Sequence, residues 1–110
     1  MGATKTSLFS TDHNYMALIF KALGHPARIA IVEHLLKVNA CICGELVDVL
    51  PLAQPTVSRH LKELKEVGLV QGSVEGNALC YCINPQAIGI LHEYFSHISS
   101  RLSQQNLICC

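Results

Sequence analysis

Tyr15, Met16, Leu18, Ile19, Phe20 and Leu23 recur at three- and four-residue spacing and predict a first amphipathic helix that Gly24 ends. Pro26 suits the first position of a second helix, which runs to about Lys37 with Ile29, Val32, Leu35 and Leu36 as its apolar face. Residues Cys41 to Leu50 give a short helical pattern halted by Pro51. Another helix opens at Pro55, with Val57, Leu61, Leu64 and Val67 inward, Arg59, Lys62, Glu63, Lys65 and Glu66 outward, and Gly68 as its cap. The period then changes from helical to alternating. Leu69, Val70 and Val74 before Glu75-Gly76-Asn77, and Leu79, Tyr81 and Ile83 after it, read as a β-hairpin. Ile88, Leu91, Tyr94, Phe95, Ile98 and Leu102 restore helical spacing from about Gln86 to Ser103.

Two short helices joined by a tight turn and followed by a hairpin predict a mainly α fold with a small β-hairpin, a winged helix-turn-helix. The expected divisions of a single domain over residues 1–110 are a flexible arm over about 1–13, a helix-turn-helix over about 41–67, a wing over about 69–84 and a dimerisation helix over about 86–103. The terminal helix has more apolar face than one small domain can cover, so a homodimer through the N- and C-terminal helices is expected. Base edges are within reach of only the first turns of a reading helix. Gln54, Thr56, Ser58, Arg59 and His60 are therefore the candidate base readers, with Lys62 and Lys65 placed for phosphate.

Composition narrows the function. The chain has 110 residues, half of them apolar, without an apolar run approaching the roughly 20 residues of a membrane span. No signal-peptide pattern opens it, so a cytoplasmic protein with no membrane partner is expected. The formal net charge is zero, so a DNA-binding face must be local rather than a bulk electrostatic effect. Six cysteines in that setting read as reduced thiols, which favour soft ions. Nothing fixes a nucleophile, base and oxyanion donors together, so an enzyme is not expected.

Leu23-Gly24-His25-Pro26-Ala27-Arg28-Ile29, Gln54-Pro55-Thr56-Val57-Ser58-Arg59-His60-Leu61-Lys62 and Glu66-Val67-Gly68-Leu69-Val70 resemble the ArsR/SmtB repressors, over roughly Tyr15 to Leu102. The resemblance implies a homodimer that holds operator DNA until an inducer binds. It also implies that Cys41-x-Cys43 is the thiolate motif of metalloid-responsive members. On a regular helix two such residues lie about 200° apart, so joint binding requires a non-helical or unwound first turn, and that distortion would release DNA. The third cysteine of some members falls at Leu46 here. Cys109 and Cys110 are the expected supplementary ligands, with His13 as another source.

The leading expectation is a DNA-binding repressor released by As(III) or Sb(III) as inducer, held by Cys41, Cys43 and a tail thiol. The alternatives are a Cd(II), Pb(II) or Zn(II) sensor, a thiol-oxidation switch, and a protein-interaction module that does not bind DNA. The resemblance implies that zinc-sensing members use Asp and His near the start of the terminal helix; here the matching start reads Pro85-Gln86-Ala87, so that site is not expected, while Glu93 and His97, four apart, could share a face. His25 and His34 read as structural. Cys80 and Cys82 share one face of the second wing strand, as ligands or as small apolar filler. The hairpin tip lacks the family's basic residues, which predicts a shallow salt dependence of DNA binding.

Overall fold

A computed structural model describes residues 6–38, 42–43, 50–75 and 78–105. A single 3-10 turn, Thr6–Leu8, precedes α1 (Thr11–Leu23). The arm expected over about 1–13 is thus partly helical, because the Ser10 side chain caps α1 by accepting from the His13 amide at 3.1 Å. α1 meets α2 (Pro26–Val38) at 90°. Gly24, between them, ends α1 as expected, at φ −78.

After β1 (Ile42–Cys43) come α3 (Gln54–Glu66), β2 (Val70–Glu75), β3 (Ala78–Ile83) and α4 (Pro85–Ser103). The sheet is antiparallel in the order β1-β3-β2, with Ile42 opposite Tyr81, Cys43 opposite Cys80, and Val70 opposite Ile83 through Glu75 opposite Ala78. β1 corrects the helix read from Cys41 onward: Ile42 and Cys43 are extended, their backbones paired with β3. That pairing overrides a helical period carried by few residues. Residues 44–49 of the expected helix lie outside the described residues.

The core joins Ile19 and Ala22 of α1, Ile31 and Leu35 of α2, Val57, Leu61 and Leu64 of α3, Leu69, Val70, Tyr81 and Ala87. α2 presents Ile31 rather than the expected Ile29, and both Ile29 and Leu36 are exposed. α3 ends in a Schellman turn. The Leu69 amide donates to the Leu64 carbonyl and the Gly68 amide to that of Lys65, each at 3.0 Å, with Gly68 at φ +82. Leu64 and Leu69 are both fully buried, which closes the hydrophobic part of the motif.

Asn84 binds this turn to the last helix. Its Nδ2 donates to the Gly68 carbonyl at 2.9 Å, its amide to the Leu69 carbonyl at 3.0 Å, and its Oδ1 caps α4 by accepting from the Gln86 amide at 3.1 Å. Along α4 only Ala87 is buried, and Ile90, Tyr94, Phe95, Ile98 and Leu102 are exposed. Among the described residues no single helix is long and apolar enough to cross a membrane.

Candidate nucleic-acid interface and thiol positions

The packing of α3 decides which of its side chains remain free. Val57, Leu61 and Leu64 anchor it, and Gln54, Ser58, Lys62 and Lys65 recur on the flank beside this stripe at spacings of four, four and three. Gln54, Arg59, Lys62 and Lys65 are exposed; Thr56 and Ser58 are half-buried. Ala53 caps α3 with its carbonyl, accepting from Thr56 and Val57 at 3.1 Å, and no side chain covers the first-turn amides. The helix therefore offers amide dipoles at its start and three cations along one exposed flank.

His60 departs from the expected set of base readers. It is 6 % exposed and faces the start of α2. Its ring lies 4.5 Å from that of His25, centroid to centroid, and its Nδ1 accepts from Arg28 Nε at 3.1 Å. Arg28 also donates from Nη1 to the Ala22 carbonyl at 3.2 Å, so one guanidinium links the end of α1 to the middle of α3. Nδ1 can accept only when it carries no proton, which fixes the neutral ring with its proton on Nε2. Burial first, and then the positive groups of His25, Arg28 and Arg59, hold the His60 pKa below its ordinary 6.5, with Glu63 acting the other way. His60 is thus a positioning residue of α3. The sequence signal was present, since residue 60 lies one turn from Val57 and Leu64, but its polarity argued for the surface.

Of the expected thiol ligands, Cys41, Cys109 and Cys110 lie outside the described residues. Cys43 occupies the register position opposite Cys80. Cys82 is half-buried and free of disulfide. His13 is exposed against the Phe9 ring, and Glu93 and His97 are exposed on α4. Among the described residues no group of three or more His, Cys, Asp or Glu could hold a metal ion.

This architecture, a reading helix bracketed by a second helix pair and a short hairpin, is a winged helix-turn-helix. The family model for bacterial regulatory proteins of the arsR family matches residues 25–71, from the start of α2 into β2. The chain is 31% identical over 91 residues to the arsenical resistance operon repressor of Staphylococcus xylosus, covering 83% of this chain and 80% of that one. It is 46% identical over 63 residues to the HTH-type transcriptional repressor SmtB of Mycobacterium tuberculosis, covering 57% of this chain and 46% of that one, so it spans about half that relative's length. A homodimeric winged helix-turn-helix DNA-binding domain from Mycobacterium bovis superposes with a TM-score of 0.62 over 98% of both chains at 21% identity. The chain belongs to the ArsR/SmtB family.

Proposed function

We propose that this protein is a DNA-binding transcriptional repressor that acts as a homodimer in the cytoplasm. The observation that carries the reading is the exposed part of α3, where Gln54, Arg59, Lys62 and Lys65 are exposed on a helix anchored in the core by Val57, Leu61 and Leu64. Gln54, Ser58 and Arg59 read base edges, Thr56 supports the first turn, and Lys62 and Lys65 bind phosphate. β2 and β3 form the wing. Its described start carries Gln71 and Gly72 rather than cations, so few phosphates are neutralised there.

The inducer in this reading is a soft thiophilic species, As(III) or Sb(III), with Cd(II), Pb(II), Zn(II) or thiol oxidation as alternatives. Cys41 and Cys43 with Cys109 and Cys110 are the ligands that the sequence nominates. Similarity to an arsenical resistance repressor over four-fifths of the chain supports that chemistry. Of the two arrangements that joint binding allows, a non-helical start or an unwound turn, the extended Ile42 and Cys43 favour the first, so no turn is left there to unwind. An ion at Cys43 would act instead on the junction of β1 with the wing.

The test is a gel shift on the DNA upstream of the protein's own gene, titrated with arsenite, antimonite, cadmium and zinc, for wild type and Cys41→Ser/Cys43→Ser. Specific binding that arsenite releases in wild type but not in the double variant is expected. Release that persists in the double variant overturns this ligand assignment. Failure to bind any operator favours the protein-interaction module.

A further inference from the structure

The end of α1, the corner between α1 and α2, and the second half of α3 enclose an open cleft of about 650 Å3. That volume falls within the roughly 300–1,000 Å3 of small-molecule pockets. The helices bring opposite charges to it. Lys21 of α1, His25 at the corner and Arg28 of α2 contribute the basic groups, whereas α3 contributes Glu63 and Glu66. The two carboxylates are three residues apart, so they share one face of α3. Leu18, Ala22 and Val67 add apolar surface to the same cleft.

The hydrogen bonds already made around the cleft leave particular groups over. Arg28 commits Nε to His60 Nδ1 at 3.1 Å and Nη1 to the Ala22 carbonyl at 3.2 Å. These bonds hold the guanidinium in place, and its Nη2 has no bond among the described residues. His25 Nδ1 accepts from the Ala27 amide at 3.0 Å, so the neutral ring carries its proton on Nε2, as a donor. Among the described residues no ion pair joins Lys21 or Arg28 to Glu63 or Glu66, although all four line the cleft. Opposite charges kept apart around an open space suit a molecule that carries both. A plain anion would meet the two carboxylates, and a plain cation would meet Lys21 and Arg28.

We propose that this cleft binds a small aliphatic zwitterion of the free amino acid type, with its carboxylate on Arg28, His25 and Lys21 and its ammonium on Glu63 and Glu66. Leu18, Ala22 and Val67 receive the aliphatic side chain. The site uses no thiol and none of the exposed base readers. Arg28 already links the end of α1 to α3 through His60, so the carboxylate lands on the group that positions the reading helix. One consequence rests on the repressor reading: occupancy changes operator affinity, and operator changes zwitterion affinity by the same factor. Binding itself does not depend on that reading.

The experiment is isothermal titration of the full chain, without DNA, by L-leucine, L-valine and L-methionine. Saturable binding of at least one of them is expected, with a Kd at or below about 1 mM. Isocaproate lacks leucine's ammonium and isoamylamine lacks its carboxylate, and each should bind at least about tenfold more weakly than leucine. Glu63→Gln/Glu66→Gln, at two exposed positions, should weaken leucine binding at least about tenfold and bind isocaproate more tightly than wild type does. That gain is a readout a misfolded protein does not give. The site is overturned if none of the three amino acids binds saturably, if the double variant binds leucine like wild type, or if both singly charged analogues match leucine. Because no DNA is present, a site that fails here leaves the operator test standing, and a chain that never binds an operator leaves the site standing.

Discussion

Gly68 and His60 show how single residues fix the reading helix. Gly68 has a left-handed φ of +82, and a Cβ built there meets nothing within 4 Å. Gly68→Ala therefore adds backbone strain without a clash, and a loss of about 1–2 kcal/mol is expected in urea unfolding. For His60 the effect is electrostatic. Its folded pKa lies below the ordinary 6.5, so the unfolded chain binds the proton more readily. The stability it contributes is complete above pH 6.5 and is lost as pH falls through that value to the folded pKa. Protonation also removes the acceptor for Arg28 and sets a cation against the guanidinium. Urea midpoints at about pH 7.5 and about pH 5 should separate in wild type and converge in His60→Gln, where that proton linkage is gone. Equal pH dependence in both proteins would contradict this role.

At the scale of elements, what the sequence made legible follows the strength of each pattern. α3 was legible because its apolar stripe is confined to one side and Gly68 ends it. α2 was harder, because Ile29, Ala30, Ile31, Val32, Leu35 and Leu36 leave little polar contrast; its ends were clear, but the face toward the core was not. The hairpin was legible, but β1 was not, since two residues carry no alternation and their pairing is made with residues 80 and 81, far along the chain. Of the site, the exposed cations of α3 were readable, whereas the His25, Arg28 and His60 linkage depends on how α2 meets α3. Asn84 was also missed as a joint. Asn84→Ala removes the α4 cap and the bond to Gly68, and about 1–2 kcal/mol should be lost, read as a lower melting temperature.

The whole molecule measures 54 × 33 × 26 Å, and α4, 19 residues or about 28 Å long, leaves much of its apolar side open. Phe20, Tyr94 and Phe95 form an exposed aromatic cluster where α1 meets α4, with ring centroids 5.4 to 5.9 Å apart. A second copy of the chain is the partner expected to cover it. Phe95→Glu should shift the protein toward monomer in analytical ultracentrifugation, with weaker operator binding at equal concentration. A Phe95→Glu protein that sediments as an unchanged dimer would place the seam elsewhere.

Asn84 then has a consequence for the DNA itself. It ties the root of α4 to the end of α3, so the direction in which α4 departs is set against the axis of α3. In a two-fold pair built on α4, that joint acts as a caliper: it sets how far apart the paired halves of the operator must lie, normally one turn of about 10–10.5 bp or a multiple of it. Loosening the joint would blur the preferred spacing between half-sites while leaving the bases read within each half unchanged.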